Sequence, residues 1–99
     1  MHALDLLGAL IATGRRERGW TAAHLAERLG VHPTLIAKIE SGSPTTAIGT
    51  VVEAAVLCGV PLFDEDPQRW DELARRQHDR LAVLPARVRP RVEQVDDDF

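Results

Sequence analysis

Few side chains in this 99-residue chain are spaced for covalent chemistry. His2, His24, His32 and His78 share no metal-ligand spacing, and Cys58, the one cysteine, has no partner residues forming a triad. No glycine-rich phosphate loop is present. Asp96, Asp97 and Asp98 are adjacent carboxylates of the kind that are usually solvated. The expectation is therefore no enzyme, no metal and no cofactor. What remains is noncovalent. Thr34 and Lys38 stand four residues apart, so on a helix they share a face one turn apart. A hydroxyl and an ammonium held outward on a short helix can hydrogen-bond a polar partner surface.

The elements that must hold them are legible in Thr21–Gly42. Thr21 is a cap residue, able to accept from an orphan N–H in the opening turn of a helix over about 22–29. Leu25, Ala26 and Leu29 give that helix one apolar face, and Ala26 is small enough for a second helix to cross closely. Gly30 follows where a left-handed residue ends the helix, and Val31 is an apolar plug at the corner. Pro33 suits the first position of a second helix, about 33–40, with its φ pre-set and no N–H to lose. Ile36 and Ile39 are that helix's buried side, which leaves Thr34, Ala37 and Lys38 outward. Two short helices about a glycine turn are the plan of a helix-turn-helix DNA reader.

A first helix is expected at about 4–18, with Leu4, Leu7, Leu10 or Ile11, and then Trp20, facing inward. Gly8 and Gly14 weaken it by up to ~1 kcal/mol each relative to alanine. Thr46 is the expected cap of a fourth helix at about 47–58, closed by Gly59, with Pro61-Leu62-Phe63 opening a short fifth element. The predicted core comprises Leu25, Ala26, Leu29, Val31, Ile36, Ile39, Val52 and Leu57. Asp66-Pro67 reads as the cap and first position of a helix at about 67–84, striped by Trp70, Leu73, Gln77, Leu81 and Leu84. That stripe serves either as packing for the core or as a partner surface. Pro85 stops it. The last residues combine Arg87, Arg89 and Arg91 with an acidic end closed by Phe99. They are too poor in apolar groups to fold alone and are expected to be mobile. The organisation expected is thus all-α: a five-helix helix-turn-helix bundle over 1–63, a helical extension over 64–85 and a charged tail over 86–99.

The net charge of −3 is not that of a typical DNA binder. The acidity, however, lies after residue 60, and the part before it carries as many basic as acidic groups. A nearly neutral reader binds weakly alone, which points to a homodimer on two half-sites about one helical turn, ~34 Å, apart. A lone cysteine suits a reducing compartment. No apolar run approaches the ~20 residues needed to span a bilayer, and the apolar opening lacks a basic start and a cleavage site. A soluble, cytoplasmic protein with no membrane partner is expected.

The sequence resembles the Xre/Cro-type phage-repressor family over about Leu7–Leu62. The resemblance rests on Arg15-Arg16-Glu17-Arg18-Gly19-Trp20-Thr21, Leu25-Ala26-Glu27-Arg28-Leu29-Gly30-Val31 and Ile39-Glu40-Ser41-Gly42, with Val51 through Leu62 after them. It implies a transcriptional repressor of a double-stranded DNA operator, with the base-reading positions on His32, Pro33, Thr34, Ala37 and Lys38. Thr34 can hydrogen-bond a base or touch a thymine methyl, and Lys38 can reach guanine acceptors. His32 can serve a phosphate or a base edge. Thr21, Ser41 and Ser43 are implied as DNA-backbone contacts, and Arg15 with Glu40 as a structural ion pair. Ala22 and Pro33 depart from the family, where glutamine often supplies polar contacts. The extension, from Leu62-Phe63-Asp64-Glu65-Asp66-Pro67 to Val95-Asp96-Asp97-Asp98-Phe99, further resembles HipB-like antitoxins. These pair with a HipA-like serine/threonine kinase toxin and repress the shared operon. Arg87, Arg89, Arg91 and Phe99 are the tail residues such a partner would take. A stand-alone regulator without a toxin, or a mainly protein-binding neutraliser, is the alternative.

Overall fold

The computed structural model describes residues 2–63 and 66–87, which are all-helical with no strand among them. The chain divides into two compact units after Pro67. The first holds α1 (His2–Glu17), α2 (Ala22–Leu29), α3 (Pro33–Glu40) and α4 (Ile48–Leu57). The second holds α5 (Trp70–Val83), preceded by a 3-10 turn at Pro67–Arg69.

All four helices of the first unit stop by one device. A left-handed glycine (Gly19, Gly30, Gly42 or Gly59, φ between 71 and 80°) follows each, and the residue after it turns its N–H back onto the carbonyl five residues earlier. At the corner between α2 and α3, Gly30 N–H donates to Glu27 O at 3.2 Å and Val31 N–H to Ala26 O at 2.9 Å. Two orphan carbonyls are satisfied and the chain reverses without a loop. A side chain at Gly30 would be strained by its φ alone, although its surroundings are open.

The core is small and aliphatic. Ile11, Leu25, Ala26, Ile36, Ile39, Val51, Ala54, Ala55, Cys58 and Val60 are buried, with Leu7, Trp20, Leu29, Val31, Leu35 and Leu57 partly buried against them. Each fully buried Ile or Leu contributes roughly 1.5–3 kcal/mol. Two expectations are corrected within it, and one alternative is settled. Val51 replaces Val52, because positions 51, 54, 55 and 58 share one helical face and 52 sits a step around it. In α1 it is Ile11 that is fully buried, while Leu10 is 40% exposed. Gly8 and Gly14 are also more than weak points. A Cβ at Gly8 would lie 2.6 Å from the carbonyl oxygens of Ile39 and Glu40, and one at Gly14 would overlap the Cys58 carbonyl. The two glycines are where the ends of α3 and α4 meet the α1 backbone.

Two boundaries also differ. Thr46 does not cap α4. The cap position is Ala47, which makes no side-chain bond, and Thr46 Oγ1 instead donates to Ser43 O at 3.3 Å, closing the preceding loop. Pro61-Leu62-Phe63 forms no helix, so the described residues of the first unit hold four helices rather than five. Pro61 biases Val60 towards an extended backbone just after the glycine stop, and Phe63 sits at φ 60°, where a helix cannot continue.

In the second unit, the helix expected at 67–84 starts as the 3-10 turn and becomes α-helical only at Trp70. Of the predicted stripe, Trp70 and Leu73 are half-buried, whereas Gln77, Leu81 and Leu84 are exposed. On another face Glu72 pairs with Arg76 at 2.9 Å, an i,i+4 contact worth a few tenths of a kcal/mol. Leu84 is extended (ψ 149°), as a residue before proline should be, and Pro85 ends the helix. Arg89, Arg91 and Phe99, the acidic triplet, and most of the tail expected to be mobile lie outside the described residues. No described helix is long and apolar enough to cross a membrane.

Candidate nucleic-acid interface

α3 packs on α2 and α1 through Ile36 and Ile39, 0% and 3% exposed, with Leu35 half-buried beside them. Its other face carries Pro33, Thr34, Ala37 and Lys38, all in solvent. The apolar anchors therefore set the orientation of the polar side chains. Lys38 lies in the last turn, where a cation also interacts favourably with the negative end of the helix dipole.

Both helices of the pair are capped by side chains. Thr21 Oγ1 accepts from His24 N–H at 3.0 Å, so the hydroxyl oxygen is spent on the helix and the amides of Ala22 and Ala23 belong to an exposed first turn. His32 Nδ1 accepts from Thr34 N–H at 3.0 Å. His32 is placed by the sequence at the N-cap of this helix, and its ring nitrogen makes the capping bond.

Ser41 is exposed, and its Oγ donates to Lys38 O at 2.9 Å. Ser43 is half-buried. Its Oγ lies 2.9 Å from Thr45 Oγ1 and accepts weakly from Thr45 N–H at 3.4 Å, so it organises the loop over 43–46. Of the polar groups singled out from sequence, Thr34 and Lys38 keep the freest hydrogen-bonding ends among the described residues, because no capping or loop bond uses their side chains.

The supporting frame is held by Arg15 and Glu40. Arg15 Nε and Nη2 donate to the two Glu40 carboxylate oxygens at 2.7 and 3.0 Å, and Nη1 donates to Trp20 O at 2.9 Å. The bidentate bond to Glu40 pushes the Arg15 guanidinium pKa up, against the opposing effect of burial. One side chain thus ties α1 to the end of α3 and to the residue before the Thr21 cap.

Arg18 is a second tie that sequence reasoning missed. Its Nη1 donates to Cys58 O at 2.7 Å and to Gly14 O at 3.3 Å, joining the ends of α1 and α4. Only its i,i+4 spacing from Gly14 hints at this, since Cys58 is forty residues away. Trp20 packs partly buried against the core. It also stacks under Arg28 at 4.6 Å and lies 5.4 Å from the His24 ring, which orders the solvent side of α2.

A family model described as helix-turn-helix domain matches residues 6–67. The chain belongs to the helix-turn-helix domain family. The match runs from α1 to the 3-10 turn, so it includes every residue of the capped helix pair and the whole Arg15–Glu40 frame. A helix-turn-helix domain is a DNA-binding one, and α3 is the second helix of its pair. No curated protein and no solved structure matches the chain.

Proposed function

We propose that this helix-turn-helix protein is a sequence-specific transcriptional repressor that lays α3 in the major groove of a double-stranded operator. The observation that carries the reading is the division of α3, with Ile36 and Ile39 in the core and Thr34, Ala37 and Lys38 in solvent. Lys38 and Thr34 read base edges, Ala37 and Pro33 allow close approach, and Thr21 and Ser43 with the first amides of α2 meet phosphate, as does Ser41 once its hydroxyl turns from Lys38 O. A homodimer spreads this sparse set of contacts over two half-sites. The site of action is the cytoplasm.

The test is selection of duplexes from a random pool by the full chain, followed by titration of Lys38→Ala. If Lys38 reads a base, the variant loses ~1–3 kcal/mol on the enriched duplex and little on random DNA. If it holds phosphate, binding weakens on all sequences and the salt slope falls by about one. A wild-type chain that enriches no duplex refutes the reading.

A finer role as the antitoxin of a HipA-like serine/threonine kinase is favoured by the far end of α5. There Leu81, Val83 and Leu84 are exposed beside Arg80 and Arg87, leaving an apolar and basic end for a partner. Arg87, Arg89, Arg91 and Phe99 would extend that contact. Co-purification with the product of the adjacent gene tests it. Deleting residues 86–99 should weaken capture while leaving operator binding intact, and undiminished capture counts against the tail.

A further inference from the structure

α4 carries a single charge, Glu53, in its ten residues, the composition of a helix covered on every side. Within the first unit it is covered on one side only. Val51, Ala54, Ala55 and Cys58 face the core. Ile48, Val52 and Val56 recur every fourth residue and form a second apolar row along the outer side. Ile48 is 79% exposed, more than any other large apolar side chain among the described residues of the first unit. Val56 is also exposed, and Val52 is half-buried.

The same side holds a charge and its complement. Side chains cap α2 and α3, whereas Ala47 supplies none to α4, so the positive end of the α4 dipole faces solvent uncapped. Glu53 is exposed and makes no ion pair among the described residues. It stands three residues before Val56, so it borders the apolar row, and lies ~9 Å along the axis from the uncapped end. An apolar row with one anionic group and one positive helix end is complementary to itself. We propose that this face of α4 is the homodimer interface, crossing the α4 of a second copy antiparallel about a two-fold axis at the level of residue 50. Ile48 and Val52 of the two copies interlock, and each Glu53 carboxylate accepts from the uncapped first amides of the other α4. The two carboxylates sit at opposite ends of the contact. An isologous contact of this kind closes on itself, so assembly stops at two copies. The inference rests on the homodimer reading and names its surface. Only the loop over 41–47 separates α3 from α4, so joining two α4 helices also fixes the spacing of the two α3 helices.

The test is sedimentation equilibrium of the full chain over a wide range of concentration, without DNA. Wild type should be a dimer that dissociates on dilution. Ile48→Lys alters a largely exposed side chain, so the helical circular dichroism spectrum should be retained. It should weaken the dimer on the order of 100-fold, because the substitution enters a two-fold contact twice. Glu53→Gln keeps the shape and removes the charge. It should weaken the dimer on the order of fivefold and remove most of its sensitivity to salt. Leu6→Lys, on the exposed side of α1, is the control and should leave the dimer unchanged. A dimer that survives Ile48→Lys, or that Leu6→Lys disrupts, overturns the assignment to α4 while the homodimer reading stands. A dimer indifferent to Glu53→Gln overturns the antiparallel crossing. A wild-type chain that is monomeric throughout refutes the homodimer reading itself, and leaves the apolar row to a partner of another kind.

Discussion

Replacing Gly14 by alanine sets two effects against each other in one methyl group. In an isolated helix the change favours α1 by up to ~1 kcal/mol. In this fold the new Cβ would overlap the carbonyl oxygen of Cys58 and lie 3.1 Å from that residue's carbonyl carbon and Cβ. The obstacle is backbone at the end of α4, which cannot rotate away as a long side chain would. The two helix ends must therefore part by roughly an ångström, a gap that forfeits up to half of each dispersion contact across it. Overpacking of this kind costs about 1–3 kcal/mol. The Arg18 Nη1–Cys58 O bond of 2.7 Å spans the same gap, and its loss adds about 1 kcal/mol. Set against the helix gain, the net loss is about 2 kcal/mol, or a fall in Tm of roughly 10 °C for a domain of this size. Gly49 in α4 is the control, because a Cβ there meets nothing within 4 Å and its φ is ordinary. Gly49→Ala should raise Tm by a few degrees, for a gain of about 0.4–1 kcal/mol. Thermal unfolding followed by circular dichroism reads both. A Gly14→Ala protein that melts at or above wild type would refute the close-approach argument.

Three further outcomes follow from the geometry. Ile36→Asp places an unpaired charge at a fully buried site and should leave the first unit unfolded; a cooperative melt near that of wild type would contradict the core assignment. Glu40→Ala strands the largely buried Arg15 guanidinium without the bidentate bond that favoured its charge, so burial acts against it uncompensated. It should cost on the order of 3 kcal/mol in denaturant titrations, and a loss below half of that would make the pair a minor tie. Burial pushes the Cys58 thiol pKa up, so the unfolded chain ionises first as pH rises. The thiol's contribution is complete below its ordinary unfolded value of about 9 and is lost as pH climbs through the higher folded value. With no tyrosine in the chain, Cys58→Ala should flatten this alkaline fall in stability, and an unaltered alkaline limb would exclude the thiol.

Much of the helix-turn-helix was legible because its signals are local. Thr21, Gly30 and Pro33 act on their own backbone or on amides within three residues, so the limits of α2 and α3 could be read from the chain. The apolar spacing of Leu25, Ala26, Ile36 and Ile39 identified which side of each helix is buried, and hence that Thr34 and Lys38 face outward. Arg15 and Glu40 were paired only through family resemblance, since nothing local relates residues twenty-five positions apart. The helix assigned to 67–84 was visible in outline, but its stripe could not say which apolar residues would remain exposed.

The sequence by itself determined where the chain turns. Glycine after the last apolar position and proline at the first helical one restrict φ whatever surrounds them. The tertiary structure decided what lies next to what. Gly8 and Gly14 read as weak helix formers until the carbonyls of Ile39, Glu40 and Cys58 are set against them. Val51 rather than Val52 faces inward because α4 rotates to fit α1 and α2, a choice its all-round apolar sequence leaves open. Arg18 finds Cys58 O, forty residues away, through three-dimensional placement that no spacing rule encodes. Local dihedral preferences are properties of a few consecutive residues, whereas close approach and the direction of a side chain are properties of the whole packed unit.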